Sequence, residues 1–517
     1  MMRTRLVRSL VGVAAVGVVL ATTDVPAQAA APAPDPLAAI QVGLRSLPQP
    51  YADWHVSVQA KSDEPGALSL SYDSPALHQR SDNTVYLPAG YRSDGAPSPV
   101  LYFLHGTVVS AVDNPLLTPV TQQESLLGMV GAGGGDIQTK LQGFAEQRDK
   151  ANFVVVSPDT NAQKSWCESC LWIDGKRDAV PNVPPVTAKT VPAETVLYKE
   201  VIPLVQQVLN VRTDRGGRGI SGFSMGAVGA LIQAFRRPDM FGYAAALSGP
   251  YNFVDDTFWR TWVDLVGYTR DQGYGLSVTD SFRWRNVNPA DLVGNFAGSG
   301  SPLRISAGDV CAPPTDGAGA ADCAEYPAVR NPLASLIESQ MRRNNDANID
   351  AISNAGVQAK QVRYSGIHGA NNHRVYANVI VPEANQAFQT PPHPSPTFSY
   401  RTQDTDFGVW DYGVHTDRAQ PEFLALEGAR HDGSAFSVRG DGNVAVTTPP
   451  AFTPGGRYHV TYSSATRDVR DEVAVADSAG RLTLGVNLND AAYATAADAL
   501  ALFGKAPGYA SVSVAPA

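Results

Sequence analysis

Long apolar runs are scarce in this chain. One stretch, Leu10 to Ala21, is sustained enough to suggest a membrane segment, yet it is too short to span a bilayer comfortably. Arg3, Arg5 and Arg8 precede it and Ala27-Gln28-Ala29 follows it, so residues 1–29 read as an export signal with an A-x-A cleavage site. No later run is long and apolar enough for a transmembrane helix. The expectation is a secreted, extracellular chain, free or held at the cell envelope by contacts. Basic residues are also in short supply, with 40 Lys and Arg against 49 Asp and Glu, a net charge of -9. Loss of Arg3, Arg5, Arg8 and Asp24 with the signal removes a net +2 and leaves -11, which argues against nucleic acid as a partner. Cysteine is rarer still, at four residues. In an exported chain four cysteines suggest two disulfides, and proximity selects Cys167–Cys170 and Cys311–Cys323 from three possible pairings. A zinc site is the rival reading, disfavoured by export and by a single C-x-x-C pair. Internal repeats are lacking. The run Gly131–Gly135 is no dinucleotide fingerprint, because Asp136 stands where the last glycine belongs.

What is present is a concentrated motif. Gly222-Phe223-Ser224-Met225-Gly226 is a G-x-S-x-G pentapeptide. In a nucleophile elbow the serine sits on a tight strand-to-helix turn, and the residues two before and two after approach too closely for side chains. Arg218–Ser221 precedes it as a short strand, and Ala227, Val228, Ala230, Leu231 and Phe235 follow with helical spacing.

The surrounding pattern alternates. Asn83–Leu87, Val100–Leu104 and Phe153–Val156 read as strands, and Leu141–Arg148, Ala193–Leu209, Met225–Phe235 and Pro332–Asn344 as helices. Over roughly 300 residues this predicts an α/β chain with a mostly parallel, doubly wound sheet covered on both faces. Residues 30–71 read as an N-terminal arm and 72–388 as the α/β unit. Residues 389–396, with Pro391, Pro392, Pro394 and Pro396, read as a linker. Residues 397–517 read as a β-sandwich-like accessory domain, from the short strands Phe398–Arg401, Phe423–Leu426, Ala435–Val438, Val444–Thr447, Tyr458–Tyr462 and Leu482–Val486. That domain is either a packing module or a binder of carbohydrate or envelope material, and pattern alone leaves both open.

A serine nucleophile needs a base, an acid and an oxyanion hole. In a hydrolase of this order the base follows the serine, and His368 and His373 remain once the early, linker and C-terminal histidines are set aside. His368 lies in the loop Ser365-Gly366-Ile367-His368-Gly369 after a short strand, Gln361–Tyr364, and is the candidate base. His373 begins a helical pattern and reads as a surface residue or one that supports the site from behind. For the acid, Asp309 after the strand Leu303–Ala307 and Glu338 on the helical segment both qualify, and position leans to Asp309. The backbone N–H of Met225 supplies one oxyanion donor and that of Thr107, after Leu104-His105-Gly106, the other. His105 reads as a residue that shapes this turn. Trp166-Cys167-Glu168-Ser169-Cys170-Leu171-Trp172 is either an acyl or sugar wall or a stapled structural loop, and Gly175–Ala193 suits a lid or rim.

An ordered set of motifs over roughly residues 72–385 resembles a known family. It comprises Ser74-Pro75-Ala76-Leu77, Val85-Tyr86-Leu87-Pro88, His105-Gly106, the two cysteines at 167 and 170, Glu194-Thr195 with Glu200-Val201-Ile202-Pro203, and Trp284, Asn288 and Pro289. It continues with Ser306-Ala307-Gly308-Asp309, Ile337-Glu338 through Asn354-Ala355-Gly356 (including Arg342, Asn345 and Asp350), and Gly366-Ile367-His368. In these the chain resembles the putative-esterase branch of the α/β-hydrolases, and within it the secreted mycolyltransferases of the antigen 85 type. The resemblance implies an α/β-hydrolase fold, a triad of Ser224, Glu338 and His368, and no metal or organic cofactor. It implies a substrate that is an acyl ester or glycolipid, with the acyl group passed to a sugar hydroxyl or to water. A plain carboxylesterase and a non-catalytic envelope-binding protein are the alternatives. Three departures bear on the substrate: Gly369-Ala370 in place of the family's Trp after the histidine, the elbow G-F-S-M-G-A, and His105 for the family's Asp. They leave ester chemistry intact and weaken the case for trehalose or a mycolic acyl chain.

Overall fold

The computed structural model describes residues 35–108, 138–160, 166–167, 170–175, 191–266, 274–311, 323–324, 326–418, 422–464, 467–488 and 508–517. The expected export signal, the loop Gly131–Gly135 and most of the expected lid lie outside these residues.

A nine-stranded sheet forms the larger part. Its strands are β1 (Ser57–Ala60), β2 (Ala67–Ser74), β3 (Gln79–Tyr86), β4 (Val100–Leu104), β5 (Val154–Ser157), β6 (Arg218–Phe223), β7 (Tyr243–Leu247), β8 (Leu303–Gly308) and β9 (Ala359–Tyr364). They run in the order β1-β2-β3-β5-β4-β6-β7-β8-β9. From β5 to β9 every pairing is parallel, while β1, β2 and β3 join antiparallel. Parallel strands must be covered on both faces, which accounts for the uninterrupted apolar character of β4 and β5. Along β4 the side chains alternate between two cores, with Val100, Tyr102 and Leu104 on one side of the sheet and Leu101 and Phe103 on the other. Each such fully buried side chain stabilises the fold by about 1.5–3 kcal/mol relative to exposure. This is the α/β-hydrolase arrangement, and it carries the expected fold.

Several local expectations change. The segment read as an arm carries a helix, Pro36–Gly43, and contributes β1 and β2 to the sheet; Val58, Leu68 and Leu70 are buried there. β1 is only four residues long, too short to show a period, whereas β2 alternates Leu68, Leu70 and Tyr72 with Ser69, Ser71 and Asp73. The expected helix Leu141–Arg148 is reduced to a 3-10 turn at Ala145–Gln147, because Gly143 takes φ +66 and interrupts the α-helical path. The expected helix Pro332–Asn344 runs on to Asn354 and stops where Gly356 adopts φ +81.

The C-terminal part forms two further antiparallel sheets. Their strands are β10 (Thr397–Thr402), β11 (Asp406–Val409), β12 (Tyr412–Thr416), β13 (Leu424–Arg430), β14 (Ala435–Gly440), β15 (Asn443–Thr447), β16 (Arg457–Ser464), β17 (Arg467–Val475), β18 (Thr483–Asn487) and β19 (Gly508–Pro516). One sheet is ordered β10-β13-β14-β19-β16-β17 and the other β11-β12-β15-β18. Alternating burial along β10 and β18 places Phe398, Tyr400, Leu484 and Val486 in a core of their own. The Pro-rich connection does not hang free of the α/β part. Ser395 N–H donates to the Gly298 carbonyl at 2.9 Å, and Arg215 donates to the Pro392 carbonyl at 3.1 Å while its guanidinium lies 5.3 Å from the Trp410 ring.

One polar tie between the two parts is Asp404, which accepts from Arg236 at 2.9 Å and from Asn286 at 3.0 Å. Arg236 also faces Glu194 at 3.4 Å, with 12% of its side chain exposed. Asp404→Ala leaves a nearly buried guanidinium with one carboxylate instead of two. It is expected to lower unfolding stability by about 1–3 kcal/mol, read as a fall in the denaturation midpoint. An unchanged midpoint would mean that this contact ties nothing.

No helix among the described residues is long and apolar enough to cross a membrane.

Candidate active site

The elbow follows from local sterics. β6 ends at Phe223 and the helix Met225–Arg236, α1, begins two residues later. Ser224 between them takes φ 57 and ψ -121, a strained conformation for a residue with a side chain. A Cβ at Gly222 would overlap the Gly226 carbonyl, and one at Gly226 would overlap the Leu104 carbonyl. Glycine is therefore required at both places. The strain is held by the surroundings: Ser224 N–H donates to the Leu247 carbonyl of β7 at 2.9 Å, and α1 is buried from Met225 to Phe235.

His368 reaches the serine from the loop after β9. Its Nε2 lies 2.9 Å from Ser224 Oγ, and its Nδ1 lies 2.7 Å from Glu338 Oε2. The ring packs on Phe223 at 4.8 Å between centroids and is 5% exposed. Glu338 comes from α2, the helix Pro332–Asn354, and is 0% exposed. A carboxylate at that depth needs donors to remain charged. Its Oε1 has them in the Gly308 N–H, in Ser248 Oγ at 2.8 Å and in the Tyr364 hydroxyl at 3.3 Å. Burial, and then the negative charge of Glu338, hold the Tyr364 phenol far above its ordinary range, so it stays a donor. Ser224, His368 and Glu338 thus form one hydrogen-bonded chain.

Asp309, favoured by position alone, lies elsewhere. Its carboxylate accepts the Cys311 N–H at 2.8 Å and its carbonyl accepts from Arg342 at 3.1 Å. It caps a turn beside the Cys311–Cys323 disulfide. The cysteines pair as expected, Cys167 with Cys170 and Cys311 with Cys323, so none is left for a zinc ligand. His373 is exposed.

Met225 opens α1, so its N–H is one of the first-turn donors that lack an intrahelical acceptor. Gly106 packs against the serine so closely that a Cβ there would stand 2.9 Å from Ser224 Cβ. This places the 105–107 loop, with Thr107, beside the nucleophile. His105 is fully buried, and burial pushes its imidazole down to about 4 against the opposing pull of the Gly106 and Asp159 backbone. It is neutral at ordinary pH and turned into the fold. The two tryptophans of the cysteine loop make no wall for a substrate. Trp166 and Trp172 are 6% and 0% exposed, stack edge-on at 5.4 Å, and Trp172 fills the space left by Gly229 of α1. The loop is a structural staple.

Sequence reasoning passed over three residues of this site. Tyr364 and Ser248 complete the acid's donor set, and Gln138 holds the 106–107 backbone. The first two end β9 and follow β7, positions where α/β sheets place site residues, while Gln138 carries no local signal. Among the described residues, no cluster of three or more His, Cys, Asp or Glu is placed to hold a metal ion.

Comparisons with known proteins give the family. Two curated esterases of Mycobacterium tuberculosis strains match at 23% identity over 249 residues, 46% of this chain and 45% of theirs. The chain therefore spans about half the length of these relatives. Among solved structures, an S-formylglutathione hydrolase from Agrobacterium tumefaciens is 15% identical with a TM-score of 0.39, over 65% of this chain and 98% of that one. The Mycobacterium tuberculosis protein MPT51 is 13% identical with a TM-score of 0.39, over 62% of this chain and 96% of that one. The family model described as putative esterase matches residues 74–374, more than half of the chain, a span within which Ser224, Glu338 and His368 all lie, and the protein belongs to that esterase family.

Proposed function

We propose that this protein is an exported serine esterase that works through an acyl-enzyme on Ser224. The observation that supports it is the continuous chain from Ser224 Oγ through His368 to Glu338, at 2.9 and 2.7 Å. In this reading His368 Nε2 takes the hydroxyl proton as Oγ bonds to the ester carbon. The carbonyl electron pair moves onto oxygen and is met by the N–H groups of Met225 and Thr107. Collapse expels the alcohol, which leaves with the proton from His368. Glu338 holds the imidazole with Nδ1 protonated and stabilises the imidazolium between the two transfers. Water, activated in the same way, then releases the acid.

Transfer to a sugar or glycolipid hydroxyl is the second reading. It rests on the resemblance to the antigen 85 type enzymes over roughly residues 72–385. Both readings share the acyl-enzyme and differ only in the acceptor. The C-terminal sheets then serve as a packing or envelope-binding module, since the residues proposed for chemistry all precede residue 389.

The test combines a p-nitrophenyl ester, rising concentrations of trehalose or glucose, and mass spectrometry of the Ser224 peptide. An acyl adduct on Ser224 and release of nitrophenol are expected. Acylated sugar that rises with acceptor concentration at the expense of free acid selects transfer, and free acid alone selects hydrolysis. Absence of both turnover and adduct would remove the enzyme reading and leave a non-catalytic binding protein on a hydrolase scaffold.

A further inference from the structure

Gly106 is needed beside Ser224 because a Cβ would crowd the nucleophile. A glycine also leaves the backbone next to it free to rotate. If the Gly106–Thr107 peptide turned over, a carbonyl oxygen would face the site in place of an N–H, and the oxyanion would meet negative charge. Something must hold that peptide, and two fully buried side chains are placed to do so.

Gln138 holds the planes on either side. Its Oε1 accepts the Gly106 N–H, and its Nε2 donates to the Thr107 carbonyl at 2.9 Å. Between them, the Gly106 carbonyl lies 2.8 Å from His105 Nδ1. A planar trans peptide sets its N–H antiparallel to its C=O, and Gln49–Pro50 is the one cis bond among the described residues. A Gly106 carbonyl kept toward the imidazole therefore turns the Thr107 N–H away from it. The imidazole is itself fixed. Its ring meets Trp172 edge-on at 5.0 Å, and Trp172 Nε1 donates to the His105 carbonyl at 3.1 Å.

We propose that His105, by donating Nδ1–H to the Gly106 carbonyl, is a positioning residue that sets the direction of the Thr107 N–H, with Gln138 clamping the flanking peptides. The inference rests on the serine-esterase reading. It also requires a tautomer. The Asp159 backbone, like the Gly106 carbonyl, pulls the imidazole pKa upward and so faces the ring as a second acceptor, while a neutral imidazole has one N–H to give. His105 in this role carries that proton on Nδ1, and a proton on Nε2 directed at the Asp159 backbone is the competing form.

Two measurements test it. In the wild-type protein labelled with 15N-histidine, the His105 Nδ1 is expected to show the protonated, pyrrole-type shift at pH 7. A pyridine-type Nδ1 would overturn the proposal without any variant. In kinetics, His105→Asn keeps a donor near the Nδ1 position, whereas His105→Gln carries it near Nε2. His105→Gln is expected to lower kcat about 10- to 100-fold, against 10²–10³ for outright loss of an oxyanion donor, with KM for a p-nitrophenyl ester changed less than about threefold. Affinity for a trifluoromethyl ketone, which forms a tetrahedral adduct, should fall in parallel with kcat/KM. His105→Asn should recover most of the loss. Equal activity of the two variants, or a loss confined to KM, would sink the idea. Ser224→Ala separates this failure from that of the underlying reading, because it reports on the nucleophile whatever His105 does.

Discussion

Ser224→Ala is expected to lower kcat for p-nitrophenyl ester hydrolysis by on the order of 10⁴- to 10⁶-fold, with the unfolding midpoint close to wild type. The change removes one oxygen at a position whose backbone is held by its neighbours. The Ser224 N–H to Leu247 bond, the close approach of Gly222 to Gly226 and the buried α1 do not involve the hydroxyl. The positive φ is no worse for alanine than for serine. Structure and activity should therefore separate cleanly. A variant that turns over ester near the wild-type rate would place the nucleophile elsewhere.

The second large effect distinguishes the two carboxylates. Glu338→Gln is expected to reduce kcat by about 10³–10⁴-fold, and Asp309→Asn by less than about threefold. The reason is an argument about donors. The Oε1 position of Glu338 receives the Gly308 N–H, the Ser248 hydroxyl and the Tyr364 hydroxyl. A glutamine can satisfy them only with its carbonyl oxygen there. Its amide NH2 then faces His368 Nδ1, which must give up its proton and accept, and the tautomer needed at Nε2 is lost. Asp309 faces no such demand, since its carboxylate accepts the Cys311 N–H and an asparagine oxygen can do the same. Measurement of kcat on both variants, with folding checked by circular dichroism, decides between them. The reverse ranking would return the acid to Asp309.

The module boundary shows how legibility fades with distance. The C-terminal strands with alternating Phe, Tyr, Val and Leu were readable because a half-buried antiparallel strand writes its period into the chain. β17, Arg-Asp-Val-Arg-Asp-Glu-Val-Ala-Val, was not, because charges occupy much of it. β11 and β12 were hidden by short length and by Gly408 and Gly413. β19 was hidden by small residues. The seam between the two parts, in which Asp404 joins Arg236 and Asn286, leaves no periodic trace. Each of these residues reads locally as an ordinary surface group.

The same division holds at the site. Sequence alone pointed to the proposed nucleophile, because the two elbow glycines are a steric requirement of the turn and appear within five residues. It narrowed the base to His368, because the order of parallel strands places the base loop last. The disulfide pairs followed from proximity in the chain. Tertiary structure decided what depends on groups distant in sequence. The resemblance already pointed to Glu338 over Asp309, where position alone leaned the other way; what only the folded chain supplies is the physical support, the donors of Gly308, Ser248 and Tyr364 converging on one buried oxygen. The hold on the 106–107 peptide needed Gln138 and Trp172, which lie 32 and 67 residues from Gly106 and His105 in the chain. Backbone sterics act over a few residues and are written into local sequence. Burial, donor counts and peptide orientation are properties of a packed interior, and only the folded chain sets them.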